Sequence, residues 1–342
     1  MDKMAVIVAI IIGMTLPGLG ADTPAPPPFW GFTLDGYPIT AAKLTDLRTT
    51  TGLRPDIIVF FLQWPGPGVV PTDTFPRESL DAIWNQGAAP CITWEPMTFS
   101  QGKAIAVPYR QILDGTYDPY LRAFAGQAKA WDQPFMIRFA HEMNLERYHW
   151  GTEIGRFGAH SPGIYRQMFH YIVTLFRKEG ATNVRWVFCP NAESIPNPDS
   201  APQASWNRAR NYYPGDKWVD ILGMDGYNWG TTQTKVQHGW DSRWMEFERI
   251  FQDLHKELKA MAPAKPIMVF ETACVNQGGN RMQWIMRLTD TARQWDLKGL
   301  CWFQVNKEQD WRLQHEYAAR IAKTRKPGVE GQAQQWLRNI TP

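Results

Sequence analysis

Cysteine is scarce in this chain. Cys91, Cys189, Cys274 and Cys301 are the four in 342 residues, widely spaced and each within or beside an apolar run. No C-x-x-C pair occurs, which removes the usual zinc and thioredoxin patterns. Buried free thiols are expected, because cysteine packs well as a small apolar residue. If the chain is exported and oxidised, Cys274 with Cys301 is the first pair to check, since they fall on consecutive strands. Net charge is nearly absent as well, at +3. Nucleic acids and membrane surfaces call for a clustered basic patch instead, so neither is expected as a partner. No motif for phosphate, nucleotide or calcium binding is found. Apolar runs long enough to cross a bilayer are also missing. The run near the start, Ala5 to Ile12, is short, follows Lys3, and leads to Pro17 and the small residues Gly20 and Ala21. Residues 1–21 therefore read as a secretory signal peptide, with an uncleaved anchor as the alternative because Asp2 weakens the positive start. A secreted or periplasmic monomer without stable membrane insertion is expected.

Aromatic residues are plentiful, with 17 Trp and 11 Tyr. Aromatic faces suit the apolar faces of sugar rings, although Trp also fills cores. Residues 22–28 include the Pro-rich spacer TPAPPP, stiff and exposed. A first strand follows at Phe29–Thr33. Seven more short apolar runs bounded by turn residues read as strands: Asp56–Leu62, Ala89–Trp94, Pro134–His141, Val184–Cys189, Val219–Met224, Pro266–Phe270 and Gly299–Phe303. Helical patterns lie between them. In Ser161–Gly180, Ser161 reads as N-cap, Pro162 as first helical residue and Gly180 as stop. Trp244–Ala260 places Phe247, Ile250, Phe251, Leu254 and Leu258 on one face. Eight alternations without a break in composition imply a single-domain α/β fold, a closed (β/α)8 TIM barrel over residues 29–322. The tail, 323–342, is basic and then Gln-rich, and Trp336 and Leu337 either fold back on the barrel or dimerise weakly.

In such a barrel the chemistry sits at the C-terminal strand ends. Those ends carry Gln63–Trp64, Trp94–Glu95, Pro190–Asn191, then Asp225, Tyr227, Asn228 and Trp229, then Trp302 and Gln304. A ring of polar and aromatic residues fits a sugar-binding cleft. The stretch Phe135 to Trp150 stands out. An apolar strand carrying Arg138 ends abruptly in His141 and Glu142. If the strand stays regular, Arg138, Ala140 and Glu142 share one face, and Ile137, Phe139 and His141 share the other. From these residues alone a buried structural ion pair explains the charges as well as a site does. HEMNL is not the zinc-binding H-E-x-x-H, since Leu145 stands where the second His belongs. Far downstream, Pro266 to Val275 is another apolar strand that ends in an acid, Glu271. Two carboxylates are what cleavage of a glycosidic bond needs.

The run Arg138 to Asn144, RFAHEMN, with Trp150–Gly151 behind it, resembles the acid/base strand of glycoside hydrolase family 26. Phe270–Glu271–Thr272 resembles that family's nucleophile strand, and the likeness extends from about Phe29 to Trp311. The resemblance implies a retaining endo-β-glycanase, with Glu142 as general acid and then base, and Glu271 as nucleophile. Burial and the charge of Glu271 should raise the Glu142 pKa, while Arg138 and a hydrogen bond from Tyr227 should keep Glu271 ionised. Retention implies carboxyl groups about 5–5.5 Å apart. His141 is implied to touch the sugar at the cleavage point, and Trp302 is the expected platform beneath it. Trp94, Trp150, Trp229 and Asn191 complete the candidate binding set, with Trp64 and Glu95 beside them; core or loop packing is the alternative for each aromatic. After HEMN the family commonly continues with Gly and a stacking aromatic, whereas Leu145, Glu146 and Arg147 precede Tyr148 here. An Arg at that place suits an acidic or substituted polysaccharide. The substrate expected first is β-1,4-mannan; mixed-linkage β-glucan, β-1,3-xylan and a bacterial exopolysaccharide are alternatives. No cofactor is expected, because two carboxylates suffice. A polysaccharide-binding barrel without turnover is the reading from a different class.

Overall fold

The computed structural model describes residues 26–66, 74–151, 157–324 and 331–340. The expected signal segment, 1–21, lies outside them, as does most of the Pro-rich spacer. Among the described residues ten strands occur in the order β1 (Phe29–Leu34), β2 (Ile57–Gln63), β3 (Ala89–Glu95), β4 (Met97–Ser100), β5 (Lys103–Ala106), β6 (Phe135–Phe139), β7 (Val184–Phe188), β8 (Ile221–Asn228), β9 (Ile267–Cys274) and β10 (Gly299–Phe303). Eight of these close into a parallel barrel in the order β1-β10-β9-β8-β7-β6-β3-β2, and β4 and β5 form a separate antiparallel hairpin. The fold is the (β/α)8 barrel that the strand–helix alternation predicts.

Side-chain alternation along each strand sorts the core into two parts. Ile57, Val59, Ala89, Cys91, Met136, Val187, Cys189, Ile221, Met268, Phe270 and Cys301 fill the barrel lumen. The intervening positions, such as Ile58, Ile92, Ile137, Leu222, Leu300 and Trp302, pack outward against the helices. The lumen is tight: a Cβ on Gly223 would lie 2.6 Å from Cys189 Sγ. All four cysteines are buried free thiols, so Cys274 and Cys301 are not bridged. Burial pushes the Cys274 thiol up to about 12, and that of Cys91 to about 12 as well, although nearby Arg138 pulls the latter back.

The helix Ser161–Glu179 matches the sequence reading at its C-terminus, where Gly180 takes φ 82°. Its start differs. A 3-10 turn at Gly158–His160 leads directly into the helix, and Ser161 lies inside it without a capping bond. The tail folds back. A last helix, Gln332–Asn339, places Ala333 and Leu337 in the lumen cluster at the end of the barrel away from Glu142 and Glu271. Trp336 packs on Phe29 at 5.6 Å, and Arg185 Nε donates to the Leu337 carbonyl at 3.0 Å.

Candidate active site

β6 ends at Phe139, two residues before the sequence pattern suggests. Ala140 and Glu142 then take φ 46° and 51°, the left-handed region that non-glycine residues rarely enter. Strand alternation is therefore lost, and His141 does not point away from Arg138 and Glu142. The strained backbone is held by Ala140 N–H to the Trp94 carbonyl at 3.0 Å and Glu142 N–H to the Cys189 carbonyl at 2.8 Å. Such strain at a strand end persists where it aims a side chain. Here it turns Glu142 into a cleft of about 1750 Å³ that is also lined by Glu271.

Glu271 reaches the same cleft by a different device. Val269 pairs with Met224 and Leu300, but Glu271 pairs with Asp225, and Thr272 with Trp302. β9 thus carries one residue more than either neighbour, a bulge that re-aims the side chains beyond it. Phe270 stays in the lumen, and Glu271, the very next residue, lines the cleft.

The two acids live in different surroundings. Glu271 accepts hydrogen bonds from Arg138 on Oε1 and from Tyr227 on Oε2. Arg138 also pairs with Asp225, and its Nε and Nη2 bond Thr93 Oγ1 at 3.0 and 2.7 Å. Burial opposes the guanidinium charge, but Asp225 and Glu271 outweigh it and hold the Arg138 pKa well above its ordinary range. Burial, then the charge of Glu271, raises the Tyr227 phenol, which stays protonated to donate. Among the described residues no cation is bonded to Glu142. Its Oε1 accepts from Asn191 Nδ2 at 2.6 Å, and the Asn191 backbone N–H donates to Asn144 Oδ1 at 2.9 Å. Burial first and the Glu271 charge second raise the Glu142 pKa; Arg147, the Asn191 bond and Arg138 pull against them.

His141 is fully buried, with Nε2 4.0 Å from Glu271 Oε1 and 3.1 Å from the Tyr148 hydroxyl. Burial and the charges of Arg138, Arg147 and Lys307 hold its pKa well below the usual value, so the ring is neutral. Arg138 thus holds Glu271 as expected from the sequence, while His141, implied to touch the sugar, is buried beside Glu271 and does not line the cleft. Among the described residues one trio has metal-ligand geometry: His141, Asp225 and Glu271, with atoms within 4.8 Å of one another. Arg138 already neutralises both of its carboxylates, so the trio is an ion-pair network.

Tyr227, Trp229 and Asn191 line the cleft as expected. Trp302, Trp94 and Trp150 do not. Trp302 and Trp94 occupy outward strand positions and are buried against helices. Trp302 Nε1 instead holds the Trp311 carbonyl at 2.8 Å. Trp94 packs with Trp64, at 4.9 Å, and bonds Tyr120 at 2.9 Å, so Trp64 is core as well. Trp150 stacks behind Tyr148 at 4.7 Å and donates to the His141 carbonyl at 2.7 Å. The aromatic wall is made instead by Phe303, Trp311, Tyr227 and Trp229. Phe303 shares the inward parity of Cys301, which only the structure fixes, one residue after Trp302; Trp311 sits in a loop where no periodicity could find it.

Glu95 lies on the cleft floor, bonded by Gln63, and burial raises its pKa to about 7, helped by the Glu271 charge and opposed by Gln63, Arg138 and Lys307. Arg147, half-exposed on the loop after β6, stands over the Tyr148 ring at 5.2 Å and 3.9 Å from Glu308 on the loop after β10. Those two strands face each other across the barrel, so the pair spans the mouth.

The chain is 34% identical over 275 residues to Endoglucanase H of Acetivibrio thermocellus, which covers 80% of this chain but only 27% of that protein's length. It is 24% identical over 230 residues to a mannan endo-1,4-beta-mannosidase of Bacillus subtilis, 58% of this chain and 57% of the relative. A solved B. subtilis mannanase superposes with TM-score 0.59 at 17% identity, over 86% of this chain and 84% of the other. The family 26 domain of a Prevotella bryantii endo-beta-mannanase/endo-beta-glucanase gives 0.58 at 14%, over 86% and 88%. The sequence profile of glycosyl hydrolase family 26 matches residues 119–313, which contain both acids and every residue that bonds them. The chain belongs to glycosyl hydrolase family 26.

Proposed function

We propose that the protein is a retaining endo-β-glycanase that cleaves β-linked polysaccharide by double displacement. The observation that carries this reading is the asymmetry of two acids in one cleft. Glu271, gripped by Arg138 and Tyr227, is suited to attack the anomeric carbon as a carboxylate. Glu142, buried beside that charge and bonded by no cation among the described residues, is suited to hold a proton for the leaving oxygen. Once the leaving sugar departs, the same Glu142 takes a proton from water, which displaces Glu271 and restores both acids.

For the backbone, the 34% identity to a protein named an endoglucanase favours β-glucan. β-1,4-Mannan is the second reading, supported by the mannosidase relative. Release of reducing ends from mixed-linkage β-glucan, carboxymethyl cellulose, mannan and β-1,3-xylan decides among them. Proton NMR of the first product should show the β-anomer; the α-anomer would mean single displacement. Binding to these glycans with no new ends from any of them, and equal binding by Glu142→Ala, would leave only a carbohydrate-binding barrel. Export rests on the sequence of residues 1–21 alone, and N-terminal sequencing of the protein recovered outside the cytoplasm tests it.

A further inference from the structure

We propose that Phe99 and Trp240 are platforms for sugar rings distal to the cleavage point, one on each lip of the cleft, so that substrate lies across the mouth as an extended chain. The inference rests on the glycanase reading above. Single exposed apolar side chains are ordinary, so exposure alone says little. Phe99 and Trp240, 57% and 44% exposed, are distinguished by where they stand: both line the catalytic cleft.

Each ring is also placed by the element that carries it. Phe99 sits on the β4–β5 hairpin, directly opposite Ala104. Strand alternation puts Met97 and Ala104 on its face of the hairpin, and all three line the cleft. The small partner leaves the ring uncovered. On the other side, Trp240 meets Trp229 edge-on at 5.8 Å, and Trp229 meets Trp311 at 4.8 Å in the same manner. This aromatic line runs outward from Tyr227, which donates to Glu271. The strands that carry the two elements, β3 and β8, stand three places apart around the barrel, with the strand bearing Arg138 and Glu142's turn between them. Uncharged rings continuous with a site for glycosidic cleavage fit the apolar faces of pyranose rings from the same chain.

The test uses Glu271→Gln, so that substrate persists, and calorimetric binding of β-1,4-gluco- and manno-oligosaccharides from disaccharide to hexasaccharide. Phe99→Ala and Trp240→Ala should each weaken hexasaccharide binding about 3- to 10-fold and leave disaccharide binding unchanged. Phe99→Tyr and Trp240→Phe, which keep a ring, should retain most of the affinity. Hexasaccharide binding unaltered by both alanine variants would overturn the platforms, as would equal losses at every length. If Glu271→Gln itself binds no oligosaccharide of either series, the glycanase reading falls instead.

Discussion

At the scale of single residues, the site depends on what surrounds each carboxyl. Of the two arginines that pull the Glu142 pKa down, Arg147 has the larger effect. A positive neighbour stabilises the carboxylate, so removing it should raise the Glu142 pKa and keep the acid protonated to higher pH. In Arg147→Ala the alkaline limb of kcat/KM should therefore move upward in a pH profile on polymeric substrate; an unchanged limb would mean that the mouth charge does not reach the acid. Glu95 gives a second readout. Its folded pKa of about 7 lies above the ordinary value of 4.5. Its contribution to stability is full below the ordinary value and is lost as pH rises through 7. Glu95→Gln, which keeps an acceptor for Gln63, should stabilise the protein by up to about 3 kcal/mol at pH 8 and little at pH 4, measured by thermal melting.

That Glu142 and Glu271 open into one cleft was legible in the sequence from two apolar strands that run out into carboxylates, whereas their separate roles came only from the family resemblance. Which aromatics face the cleft was not legible. Trp302 and Trp94 sit one residue from inward positions, and nothing in a run such as GLCWF marks which parity faces the lumen. The positive φ at Ala140 and Glu142 and the bulge at Phe270–Glu271 reset the alternation where the chemistry lies. No residue there is a glycine that would announce the break.

At the scale of elements, eight apolar runs identified the barrel strands to within a few residues. β8 and β9 run longer than their apolar patterns because Asp225, Tyr227 and Asn228 go on pairing with Glu271, Ala273 and Cys274. The β4–β5 hairpin is not legible in the sequence, because its four-residue strands are half-buried to exposed and carry no buried face to give them a period. The closing helix Gln332–Asn339 was legible only as Trp336 and Leu337 in a polar tail. Leu337 is fully buried against the lumen. Leu337→Ala should cost about 2–5 kcal/mol in denaturant unfolding, with kcat retained, since the helix lies at the far end of the barrel. A cost under about 0.5 kcal/mol would mean that the helix does not plug the barrel in solution.

At the scale of the whole molecule, the barrel converts strand order into proximity. Glu142 and Glu271, on strand ends three places apart, open into one cleft although well over a hundred residues separate them in sequence. The same closure sets Arg138 between Asp225 and Glu271 in the lumen's upper layer, where no solvent competes for its charge. In the proposed reaction Glu271 forms a covalent bond to the sugar while Glu142 moves protons. Incubation with an activated 2-fluoro glycoside of the preferred backbone, followed by peptide mass mapping, tests it most directly. One glycosyl adduct is expected, on Glu271, formed more slowly in Tyr227→Phe; an adduct on Glu142, Glu95 or any other acid would overturn this assignment of roles.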